Sequence, residues 1–186
     1  IEKDANTMVL IALGLGKHDT DNQYKANAAA MMQAAQDLAG ADNYDAAKAA
    51  VEQLQKAVAG EATAEAELEW EKVASLPPLM QQVPLINTRL KRYTRGSRFE
   101  SRADVTAGYS AVLAIIAHGV IADTSEAEND KQIGQWVKYC VDMRDAAGDV
   151  NAAIKAGDEA ACETAKEALA KSCDDCHAVF HPEEEH

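Results

Sequence analysis

Residues 158–180, DEAACETAKEALAKSCDDCHAVF, decide the fold class and raise the first chemical question. Alanine and long straight-chain residues fill the stretch, all of them good helix formers. Cys162, Ala165, Leu169, Cys173, Cys176 and Phe180 recur at three- and four-residue spacing, which lines them up on one face of a helix. Two earlier segments repeat the pattern. One carries Val105, Tyr109, Val112, Ile116 and Gly119; the other carries Ile133, Trp136, Cys140, Met143, Ala147, Val150 and Ile154. Stripes of this kind are buried when neighbouring helices pack nearly antiparallel.

The rest of the chain agrees. Aromatic residues make up only 5% of the 186 positions, too few for the alternation a β-sandwich needs. Glycine and proline fall in clusters that punctuate helical runs, at Gly14 and Gly16, Gly40, Gly60 and Pro77-Pro78. An all-α protein is expected. A faint repeat also appears: at an offset of 115, Ala46, Ala50, Glu52, Leu54 and Lys56 match Ala161, Ala165, Glu167, Leu169 and Lys171. Residues 1–60 are therefore read as an N-terminal helical region, a degenerate repeat, and residues 61–186 as the principal domain. In that alignment Val58, Glu61 and Ala62 stand where Cys173, Cys176 and His177 stand, so the first copy lacks the chemistry of the second.

The net charge is −13, which would repel a phosphate backbone and suits a basic protein partner. The longest apolar run, AVLAIIAHGVIA at 111–122, has about 12 residues against the roughly 20 of a membrane span, so a buried helix is expected there and no membrane span. The chain opens at Ile1, as expected of a mature or trimmed form from which any targeting segment has been removed.

The chemical question is what CDDCH at 173–177 holds. Covalent haem attachment needs two thiols about one helical turn apart and an imidazole beside the second. Cys173, Cys176 and His177 meet that need. A redox dithiol of the thioredoxin kind would sit near a βαβ pattern, and none is visible. A zinc site could draw on Cys173, Cys176, His177 and His181, although four ligands within nine residues of one helix surround an ion poorly. Cys140 and Cys162 lie roughly 18 Å apart in a helical register, so both are expected as buried free thiols.

A helix ending in C-x-x-C-H and preceded by AAIKAGDEAACETAKEALAKSC resembles the cytochrome c′ family, including its low-spin relatives. The resemblance covers residues 61–186 and implies an up-down-up-down four-helix bundle, with helices near 76–95, 102–122, 130–156 and 158–180. It implies one covalent haem c, with Cys173 and Cys176 as thioether anchors and His177 as the proximal iron ligand. His181 stands where the family usually has arginine or lysine, either near a propionate or as a helix-end residue. Met80 is the expected distal ligand, since LMQQVPLINTRLKR is similar to the family's first helix. Pro84, four residues on, removes a hydrogen bond and loosens the backbone there. His118 is the alternative. In that register Met80, His118 and Cys140 share the haem's level, and Arg89, Lys91, Arg92, Arg95, Arg98 and Arg102 lie at the far end.

The function expected is one-electron transfer by a periplasmic or secreted monohaem cytochrome, without substrate chemistry, and so not an enzyme. Its partner would be a redox protein, with a basic surface suiting the net negative charge; family members often form homodimers, and a homodimer stays open here. Two alternatives stand beside it: a five-coordinate protein binding small gases, and a structural bundle with a C-terminal zinc site.

Overall fold

The computed structural model describes residues 1–64 and 67–182. Every regular element among them is helical, as expected from composition and periodicity. The chain forms two compact units, Ile1–Gln82 and Val83–His186. The boundary expected after residue 60 is thus not where the contacts divide; they divide within a helix.

The first unit holds α1 (Glu2–Lys17), α2 (Ala28–Ala39), α3 (Tyr44–Val58) and the opening of α4 (Leu76–Tyr93). Val9, Ala12, Leu13, Met31, Met32, Ala35 and Ala57 form its core, with Leu68 and Trp70 packed against them. The segment before α4 is tied down by polar contacts, since the Ser75 N–H donates to Asn6 Oδ1 at 2.7 Å. Gly16 is required by close approach: a Cβ there would meet Ala28 Cβ at 2.8 Å and collide with Leu68. Asn43 opens α3, its side chain accepting from the Ala46 N–H at 2.9 Å.

The second unit holds the rest of α4, the single turn α5 (Arg98–Ser101), α6 (Ala103–Gly119), α7 (Asp130–Ala156) and α8 (Glu159–Phe180). Asn129 caps α7 through Gln132, and Asp158 caps α8 through Ala161 at 2.9 Å. Between them Gly157 takes φ 71°, a left-handed turn that lets α8 fold straight back on α7. Cross-contacts set the directions. Asn151 Nδ2 donates to Ala107 O at 2.7 Å near the start of α6. Trp136 Nε1 donates to Val120 O at 3.0 Å just beyond its end. α6, α7 and α8 therefore run antiparallel in sequence order around Leu113, Ile116, Ala147, Val150, Ile154, Cys162 and Leu169, all buried. Each large aliphatic side chain in that set contributes about 1.5–3 kcal/mol.

Residues 83–93 of α4 join this unit through Leu90 and Ile86, both buried. The Tyr93 ring stacks on Tyr109 at 6.1 Å, and the Arg89 guanidinium lies 5.8 Å from the same ring's centre. One expectation changes in extent. The apolar run at 111–122 is part of a helical stretch, Ala103–Ala122, of 20 residues, long and apolar enough to cross a membrane by length and composition. About half of that stretch is buried in the fold, and Asn151 reaches the Ser110 hydroxyl on it at 3.2 Å.

Candidate functional site

The motif occupies the last two turns of α8. Cys173 and Cys176 are half-buried, while His177 and His181 are exposed. The two imidazoles stand 6.1 Å apart, at 76° to each other. Phe180 anchors this end of the helix: its ring meets Trp136 edge-on at 5.2 Å and Tyr139 at 6.3 Å. Contacts of this kind contribute about 0.5–1.5 kcal/mol beyond burial. They also set the register. One turn inward from the Trp136–Phe180 pair, Cys140 on α7 comes opposite Cys176 on α8.

The thiols feel one another and their burial. Burial, and then the neighbouring Cys176, push the Cys140 thiol up to about 12. Burial, and then Cys173, push Cys176 up to about 11. Cys173 is also raised by burial, with the Ser172 side chain and the Lys91 ammonium pulling the other way. Reactive dithiols of redox enzymes have depressed values, because the thiolate is the nucleophile. A set of thiols held protonated at neutral pH is the reverse of that. All four cysteines are free, and Cys140 and Cys162 are buried.

Lys91 corrects the expected register. It was placed with the other basic residues at the far end of the bundle, yet its charge acts on Cys173. The signal was absent from the sequence, because neither a stripe nor a breaker reports how one helix crosses another.

His118 lies on the last turn of α6, half-buried, with Nδ1 at 3.4 Å from Arg144 Nη1. Burial, and then the Arg144 charge, lower its pKa, so its ring is neutral at pH 7. Arg144 is one turn from Cys140 along α7, which puts His118 near the level of Cys140 in the second unit. Met80 is half-buried on α4 and belongs to the first unit. The helix carries Pro84 in its interior and continues to Tyr93.

Among the described residues, no three His, Cys, Asp or Glu side chains converge as a metal-binding set. Cys173, Cys176, His177 and His181 are thus no preformed zinc cage. The donor set does fit covalent haem. Two thiols one turn apart stand on the half-buried side of one helix, and the next imidazole is open to an incoming metal. The sequence did not point to Arg144 at all, and it offered Lys91 only as one of the far-end basic residues. Both emerge only when helices 26 or more residues apart come together. No family model, no characterised protein and no solved structure matches this chain.

Proposed function

We propose that this chain is a monohaem c-type cytochrome that carries single electrons, with α4, α6, α7 and α8 as a cytochrome c′-like bundle. The observation that carries the proposal is the placement of Cys173 and Cys176 on the half-buried side of α8, with His177 beside them at the surface. Bound haem c would supply an iron that gains and loses one electron. Cys173 and Cys176 would hold it through thioether bonds, and His177 would be its proximal ligand. Phe180, gripped by Trp136 and Tyr139, keeps the end of α8 from fraying, so the three donors stay in one fixed relation. His181 shares that end and is a neighbour of the group rather than a ligand.

Met80 is proposed as the distal ligand on the strength of the sequence, and His118 as the alternative that the second unit itself supplies. A net charge of −13 would draw a basic redox partner by long-range attraction. The family resemblance supports a periplasmic or secreted setting. No residue is assigned a catalytic role.

The test is expression in a host that matures c-type cytochromes, followed by denaturation. The pigment should stay with the polypeptide, with the mass of one haem added; a colourless chain overturns the proposal. Ferrous spectra then separate the ligands. Met80→Ala should turn sharp, split bands into a broad band that carbon monoxide shifts, and His118→Ala should leave them unchanged. The opposite result makes His118 the ligand. A parent protein that is already broad-banded and shifted by carbon monoxide is a gas binder.

A further inference from the structure

Basic residues crowd into one short stretch of the second unit. Arg89, Lys91, Arg92, Arg95, Arg98 and Arg102 are six of the chain's 18 lysines and arginines, and Glu100 is the one acid among them. Residues 89–102 thus carry +5, and the rest of the chain, within a total of −13, carries −18. All six basic side chains are exposed. Elsewhere Lys17, Lys25, Lys138, Lys166 and Lys171 each pair with a carboxylate; among the described residues none of the six does. The complement of this surface is an anion from outside the chain, and we infer that it docks a carboxylate-rich segment of a partner protein.

The surface is shaped as well as charged. Phe99, 2% exposed, pins the turn between α4 and α6, and Arg95, Arg98 and Arg102 flank it in sequence. On α4, the Arg89 guanidinium lies 5.8 Å from the centre of the Tyr109 ring and that of Arg92 5.9 Å from the Tyr93 ring, and the two rings stack at 6.1 Å. A guanidinium laid against a ring is held in place and still offers the planar N–H fork that matches a carboxylate. Val105, 49% exposed, stands one turn before Tyr109 on the same face of α6. Arginines and tyrosines beside an open apolar side chain are what the centre of a protein interface is made of, and arginine clusters recognise acidic motifs. The −18 of the remaining chain selects among anions. A nucleic-acid strand or an anionic bilayer extends past the patch and would bring its phosphates against acidic surface. A short acidic segment ends where the patch ends. The inference rests on residues of the second unit and stands whether or not haem is bound.

The probe is a fluorescein-labelled peptide of about ten residues, glutamates around a central leucine, titrated with the full-length protein and followed by anisotropy. A few charge-assisted contacts should hold it with a Kd on the order of 10–100 µM at about 50 mM salt, and roughly 300 mM salt should weaken it at least about fivefold. Arg89→Glu with Arg92→Glu should weaken binding at least about tenfold; both sites are exposed, and circular dichroism confirms that the helices persist. Lys48→Glu with Lys56→Glu changes the net charge equally at exposed sites of the first unit and should leave the Kd within about threefold of the parent. A peptide that does not bind overturns the proposal. So does a peptide that responds alike to the two pairs of substitutions, because only the overall charge would then matter. Oligothymidylate of about ten nucleotides, or phosphatidylglycerol vesicles, bound as tightly as the peptide would also overturn it and make the patch a general anion site.

Discussion

At an offset of 115 residues, α3 and α8 open in the same way and end differently. Asn43 and Asp158 cap them through the N–H groups of Ala46 and Ala161. Ala50 and Ala165 are both buried, as are Ala57 and Ser172. Beyond that the helices part. α3 stops at Val58, and Gly60 follows at φ 81°. α8 runs on to Phe180, held there by Trp136 and Tyr139. Cys176 and His177 lie on this extension, while Glu61 and Ala62 at the matching positions lie past the end of their helix. A shared cap and a shared buried face make two similar helices; the extra turns are what make one of them a site.

The sharpest way to break the comparison is to strip the extension of its chemistry. Cys173→Ser with Cys176→Ser should abolish all pigment that survives denaturation, while circular dichroism still reports the full helical content. Neither side chain is fully buried, so the fold should tolerate both changes. Pigment that stays covalently attached in the double variant would mean that Cys140 or Cys162 provides the anchor.

Next in size is a matched pair in the two helices. Leu54 and Leu169 align in the repeat, yet Leu169 is 2% exposed and Leu54 is only partly buried. Leu169→Ala should cost about 2–5 kcal/mol in denaturant unfolding, and Leu54→Ala about 1 kcal/mol. Equal costs would show that α3 is packed as tightly as α8 in solution, as it would be if its outer face were covered.

Cysteines separate the units as well, since none precedes residue 140. Folded Cys140 keeps its proton up to about 12, whereas the unfolded thiol loses it near the ordinary 9.0. Unfolding therefore releases a proton in that window. Stability is intact below pH 9 and falls as pH rises toward 12, by up to about 1.4 kcal/mol per pH unit. Cys140→Ala should flatten this part of the stability–pH curve relative to the parent. A variant that loses stability with the same slope would show that Cys140 is open to water.

Helix periodicity made α6, α7 and α8 legible before any coordinates, although Val105 and Ile133 of the expected stripes stand exposed in the fold. The motif was legible too, since CDDCH is a local pattern and needs no partner to be seen. What stayed hidden depends on long-range approach. The Lys91 charge is felt at Cys173 only in the folded chain, and Arg144 reaches His118 because α6 and α7 pair in one register among several that the stripes permit. The exposed line on α3 was missed for another reason. Its period suggests burial, and only the folded chain shows Tyr44, Val51 and Val58 exposed.

The smallest effect tests the part that the helices share. An N-cap side chain satisfies one of the backbone donors that the first turn leaves open, and its removal costs about 1 kcal/mol. Asn43→Ala and Asp158→Ala should therefore destabilise their own units by similar amounts. Asp158 carries a full charge at the positive end of a helix dipole, which adds about 0.3–1 kcal/mol at low salt. The excess should fade as salt is raised, leaving two equal caps. If Asp158→Ala still costs more at high salt, the difference lies in the α7–α8 turn. Gly157 holds that turn in the left-handed region immediately before the cap, and nothing of the kind precedes Asn43.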